Sequence, residues 1–280
     1  MERILSSHLS VGHRLTTSWL GKVERAGFAG VELFCARQHF DYRDTVRIAE
    51  FGHWFRDSEL KLHSVHSPMF TDEVWGRSGP QSHVNITERA KLERNQWVDE
   101  IKRAIEVAET VPFRYFIQHL GVKGQEFSEY AVDAAFNALE ELQIFARQRG
   151  VEILLENTPN ELATAERLEL FNSMTHLRLN YCFDSGHANL GAGVAHEFGV
   201  MAERIRSLHL HDNDGSEDSH VFPLAAGGTI DWAATMDLLR SRPGQYPLLL
   251  ELREPAGLAN PLEEARKVCA ELEDLRPRHD

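Results

Sequence analysis

Cysteine is scarce: Cys35, Cys182 and Cys269 are the three in 280 residues, far apart and odd in number. That argues against a disulfide framework and fits a reducing, cytoplasmic setting. No apolar run approaches the roughly 20 residues that a membrane helix needs. The opening MERILSSHLS lacks the long apolar region and small-residue cleavage site of an export signal. Positive charge is also short, with 30 Lys and Arg against 43 Asp and Glu and a formal net charge of -13. Phosphate-backbone binding is driven by clustered cations, so a general nucleic-acid surface is not expected. Also missing is a glycine-rich phosphate fingerprint: the first strand-like run leads into SHLSVGHRL, with Gly12 alone.

What is present is alternation. Strand-like runs fall at 4–9, 30–34, 61–66, 114–119, 151–156, 178–184, 206–211 and 246–252. Helix-like stretches separate them, such as 88–109 and 130–150, where apolar residues recur three and four apart and Gly150 is placed to end the second. Eight βα units imply a parallel sheet, and about 250 residues is the usual size of a closed (β/α)8 barrel. The reading is one TIM-barrel domain over 1–280 with a loose tail at 275–280. A doubly wound open sheet is the rival, disfavoured by the missing fingerprint.

In such a barrel the C-terminal strand ends build the active site. Here they carry His8, Glu32, His66, His119, Glu156, Asp184, His209 or His211, and Glu251. Asp184 is followed three residues on by His187, and Asp218-Ser219-His220 follows the seventh run. Side chains alternate along a strand, so Ser64 with His66, Leu154 with Glu156, and Ser207 with His209 and His211 share faces. A Glu ending an apolar run is costly to bury unless it is paired, hydrogen-bonded or metal-bound. Converging imidazoles and carboxylates are the donor chemistry of Zn, Mn, Fe or Co. One histidine at a strand end is ordinarily structural; nearly one per strand at the same end points to a metal site. Glu32 is left open as a backbone hydrogen-bond acceptor. His63 is read as structural, facing a helix. His211 stays open between ligand, substrate contact and support of a ligand. His13, His39, His53, His83, His176, His196 and His279 are read as surface or packing residues.

The segments HSVHSP, FIQHLG, LLENTPN, CFDSGHANLGAG, SLHLHDNDG, DSH followed by GGTIDW, and LLLELRE together resemble the xylose isomerase-like TIM-barrel superfamily, over nearly the whole chain. The resemblance implies a divalent ion (Mn, Zn, Co or Mg) held as in the family's sugar isomerases and epimerases by Glu156, Asp184, His209 and Glu251, with His187 on the substrate. It equally matches the nine-residue, three-zinc set of endonuclease IV, which adds His66, His119, His187, Asp218 and His220. One ion is expected, up to three being accommodated. Two activities follow. The first is isomerisation or epimerisation of a sugar or sugar phosphate through an enediolate, with Glu156 and Glu251 as the proton-transferring pair. The second is phosphoester hydrolysis. Substrate contacts are expected from His187, His66, His119, His211, Trp75 and Arg253. A homo-oligomer is the family habit. Two departures stand out: Ala226-Gly227-Gly228 where relatives often read Gly-Glu-Gly, and strand-end loops poor in cations, with Arg14, Arg37, Arg77, Lys123 and Arg253 against the acidic DNDGSED.

Overall fold

The computed structural model describes residues 1–241 and 246–275. Its strands are β1 Arg3–Ser6, β2 Gly30–Phe34, β3 Lys61–His66, β4 Tyr115–His119, β5 Glu152–Glu156, β6 Asn180–Asp184, β7 Ile205–His209 and β8 Leu248–Leu250. Each is followed by helix: α1 Thr17–Arg25, α2 Thr45–Arg56, α3 Lys91–Ile105, α4 Glu129–Arg147, α5 Ala165–Met174, then α6 Ser185–Leu190 and α7 Val194–Met201 after β6, α8 Trp232–Arg240 and α9 Pro261–Asp274. Neighbouring strands pair in parallel in sequence order and β1 pairs with β8. A bridge between Leu210 and Leu250 joins the last two edges. The fold is the expected (β/α)8 barrel. No helix among the described residues is long and apolar enough to cross a membrane. Of the loose tail expected at 275–280, residues 276–280 lie outside the described residues.

Local chemistry sets these elements. Thr16, Asp44, Ser128, Thr164, Asp231 and Asn260 each accept a backbone N–H at a helix start, a cap contributing about 1 kcal/mol. The inner stripe of α4, with Ala131, Ala134, Ala135, Ala138 and Ala146 buried, lets that helix lie close to the sheet. Alternation divides the strands: Phe116, Ile153, Leu155 and Phe183 belong to the layer between barrel and helices, while Tyr115, Ile117, Leu154 and Cys182 form a separate cluster inside the barrel. Glu156 and Asp184 stand two residues beyond Leu154 and Cys182, so the inward face of each strand ends in a carboxylate.

Two irregularities shift the inward set. Val31 pairs with Leu62 but Glu32 with Ser64, leaving His63 as an extra residue; likewise Tyr181 pairs with Ile205 and Cys182 with Ser207, leaving Arg206 over. A bulge breaks strict alternation. His63 therefore does not face a helix, as alternation predicts. Its Nε2 lies 3.3 Å from Ser207 Oγ and its ring lies edge-on to Tyr115, within the barrel. The first run is also shorter than its sequence implies: Ser6 accepts the His8 N–H and the chain turns into a 3-10 helix, so His8 sits past the strand.

Replacing Leu154 by Ala removes packing directly beneath the inward carboxylates. It should lower stability by about 2–5 kcal/mol in denaturant unfolding; a loss well under about 1 kcal/mol would contradict a close-packed barrel interior.

Candidate metal centre

Three groups of donors meet at the C-terminal mouth of the barrel. Glu156, Asp184, His209 and Glu251 form one; His66, His119 and Glu156 a second; His187, His211, Asp218 and His220 a third. Within each group the donor atoms lie inside 4.8 Å of one another. In the first, His209 Nδ1 is 3.1 Å from Glu156 Oε1, 3.2 Å from Glu251 Oε2 and 3.9 Å from Asp184 Oδ2. In the second, Glu156 Oε2 is 3.1 Å from His119 Nε2 and 3.5 Å from His66 Nε2. In the third, Asp218 is 3.2 Å from His187 Nε2 and 3.4 Å from His220 Nε2. Two carboxylates connect the groups. Glu156 turns one oxygen to each of the first two, and Asp184 lies 3.1 Å from His211 Nε2 in the third.

The backbone orients the imidazoles. His66, His187 and His220 donate Nδ1–H to the carbonyls of Ser67, Asn157 and Glu251 at 2.9, 2.9 and 3.2 Å, which aims each Nε2 at a carboxylate. His209 is turned the other way round. Its Nε2 is 3.1 Å from Glu32, which also accepts from Ser64 Oγ at 2.7 Å, and Nδ1 faces the three acids. Glu32, left open by the sequence, is thus the fully buried support of His209. Asn157 clamps the ends of β5 and β6, accepting the Asp184 N–H at 2.8 Å and donating to the Asp184 carbonyl at 3.0 Å. Buried Glu197 accepts from the same Asn157 amide at 3.0 Å. Neither Asn157 nor Glu197 was singled out in the sequence, because their role is a hydrogen bond across the fold. His220 adopts a φ of 49°, a conformation uncommon for a residue with a side chain. The Arg253 N–H bond to its carbonyl, 2.9 Å, holds it there.

Carboxylates this close to one another repel unless positive charge, as protons on the imidazoles or as a metal ion, stands among them. Burial alone would favour the neutral acid at Glu156, yet His209 and His119 outweigh it and hold its carboxyl well below the usual range. Burial likewise opposes charge on His187, yet Asp184, Asp218 and Glu156 carry its imidazole well above the ordinary value. No Lys or Arg ion-pairs with these carboxylates among the described residues. Among the described residues, Glu32 Oε1, Asp218 Oδ1 and Glu251 Oε1 are buried without a hydrogen-bond partner. Donors sharing a divalent ion at about 2.1 Å stand roughly 3–4 Å apart, which is the spacing found here. The buried His, Glu and Asp set fits divalent metal.

The remaining expected residues divide. Trp75 is half-buried, with its ring edge-on to Phe34 at 5.3 Å and Phe70 at 5.9 Å, and it lines the cleft that opens over His66, His119, His187 and Asp218. His83, expected to be a packing residue, lines the same cleft. His211 is fully buried, stacked on His220 at 3.9 Å. Arg253 is exposed and is not part of the cleft wall. His8 is paired with no acid among the described residues; its Nδ1 meets the Leu252 carbonyl at 3.0 Å and its ring packs on Phe34 and His220. Gly228, at the departure from the family pattern, lies where a Cβ would overlap the Asp212 carboxylate that accepts from Thr229 N, Ile230 N and Trp232 Nε1.

The sequence model of the family described as xylose isomerase-like TIM barrel matches residues 20–275. The chain belongs to this family. Among its relatives, an uncharacterized protein of Methanocaldococcus jannaschii is 30% identical over 217 residues, 73% of this chain and 69% of that one. The xylose isomerase-like fold is shared closely with a solved D-tagatose 3-epimerase-like protein, at a TM-score of 0.76, 24% identity and coverage of 98% and 97% of the two chains. It is shared equally with the IolI protein solved with a bound zinc atom, at 0.76, 17%, and 98% and 96%.

Two variants test the centre. Glu32→Gln keeps the shape but weakens the acceptor behind His209, and should lower metal affinity by about 10–100-fold in a chelator competition; unchanged affinity would detach Glu32 from the site. A Cβ at Gly186 would overlap the His211 ring. Gly186→Ala should therefore displace His211 and reduce bound metal per chain in elemental analysis, and full retention would remove His211 from the donor set.

Proposed function

We propose that this family member is a multinuclear metal-dependent hydrolase of small phosphoesters. The observation that carries the reading is the bridging of three donor groups through Glu156 and Asp184. Four carboxylates stand in these groups, Glu156, Asp184, Asp218 and Glu251. Their four negative charges exceed one divalent ion by two, so a singly loaded site stays negative and suits a neutral polyol. Three ions exceed the same four charges by two, so a fully loaded site is positive and suits a phosphoryl group. Bound ions supply Lewis-acid polarisation of phosphoryl oxygens and a nucleophile at neutral pH. The chain's own part is to hold the donors fixed by carbonyl-tethered imidazoles, and to bury the first group where water is excluded. Its net charge of -13 and acidic seventh loop disfavour a nucleic-acid substrate.

A second reading is a sugar or sugar-phosphate isomerase or epimerase with one ion, and the fold shared with a D-tagatose 3-epimerase-like protein supports it. There Glu156 and Glu251 would pass a proton between them. Glu251 Oε1 has no hydrogen-bond partner among the described residues. Glu156 is less suited, since both of its oxygens face imidazoles.

Metal content and turnover decide together. Protein purified without added metal should carry two or three ions per chain and cleave bis(p-nitrophenyl) phosphate. Glu156→Gln should lose both bound metal and at least about 100-fold in turnover. One ion per chain, with epimerisation of a ketose and no phosphoester cleavage, would establish the second reading instead.

A further inference from the structure

The cleft beside the donors has a volume of about 410 Å³, within the roughly 300–1,000 Å³ that a small molecule occupies. It meets the site at His66, His119, His187 and Asp218, the outward members of the second and third groups, and not at the buried first group. Its walls are mostly apolar. Met69, Phe70, Trp75 and Val84 from the long β3–α3 connection line it together with Val122 and Pro159. Asn160 donates to the Leu120 carbonyl and accepts from Leu162 N, and Gln118 donates to the His119 carbonyl, which leaves Ser67 Oγ, Trp75 Nε1 and Gln118 Oε1 as the buried polar atoms of lining residues, outside the donor groups, without a partner among the described residues. Lys123 is the cation on this wall, and no ion-pair partner occurs for it among the described residues.

A polyhydroxylated chain placed here would meet carbon along most of its length, with these three polar atoms too few to replace the hydrogen bonds that it makes to water. A flat apolar group would bury its faces against Trp75, Phe70 and Met69 at no such loss. We propose that the substrate is a phosphoester carrying an aromatic ring, with the phosphoryl group at the His66, His119, His187 and Asp218 edge, the ring between these walls, and Lys123 drawing the anion to the mouth. This rests on the hydrolase reading and narrows its substrate class.

The test is calorimetric titration of zinc-loaded protein with phenylphosphonate and methylphosphonate, neither of which can be hydrolysed. Phenylphosphonate should bind at least tenfold more tightly, about 1.4 kcal/mol. The ratio should fall toward one in a Met69→Gln/Val122→Asn double variant whose thermal unfolding matches the parent. Equal affinities in the parent, or a ratio that survives the double variant, would overturn the ring assignment. Failure of both phosphonates to bind would instead count against the phosphoryl part, that is, against the hydrolase reading. The ring site is then read separately with anilinonaphthalenesulfonate: fluorescence enhancement in the parent and not in the double variant supports it, and equal signals overturn it.

Discussion

Glu32, Glu156, Asp184, Asp218 and Glu251 face six imidazoles at one mouth of the barrel, with separations of 3–4 Å and no Lys or Arg paired with them among the described residues. Charge buried at that density is unfavourable without compensation. The surrounding structure is arranged around that requirement. Backbone carbonyls take one nitrogen of His66, His187 and His220, Asn157 ties the ends of β5 and β6, and Glu32 braces His209 from behind. Each tether removes freedom from a donor that would otherwise turn away from its neighbours, so the site is preorganised for positive charge.

The barrel supplies the convergence. A parallel sheet closed on itself brings eight strand ends to one rim, and the packed layer of Tyr115, Ile117, Leu154 and Cys182 gives the inward acids a firm floor. The extra residues His63 and Arg206 reset the phase of β3 and β7. After them, Ser64, His66, Ser207 and His209 all point inward. Without the bulges, one register step would turn both histidines to the helix layer.

In the proposed function the number of ions held decides the reaction, because ion number sets the sign of the site. A deep group of four residues is enough for one ion. The outer donors reach the cleft, where side-chain exposure rises to 18% at His119 and 28% at Asp218. A mostly apolar wall with Met69, Phe70, Trp75, Val122 and Pro159 stands beside them.

Much of this was legible in the residues. The spacing of eight apolar runs and their intervening amphipathic stretches is a local property, so strand and helix order could be read directly, though some ends, such as those of β1 and α3, lie three or four residues from where the sequence puts them. The polar residue closing each run could be read too, since a Glu after ILL or LLL is conspicuous in any fold. Hidden from the sequence were the bulge that turns His63 inward, the bracing of His209 by Glu32 some 177 positions away, the Asn157 and Glu197 clamp, the burial of His211 and the exposure of Arg253. Those depend on strand register and on contacts between residues far apart in the chain, which periodicity does not encode. The sequence alone determined that acids and imidazoles end the strands of a barrel; only the tertiary structure decided which of them share oxygens, because sharing is a matter of a few ångströms set by closure, register and backbone tethers.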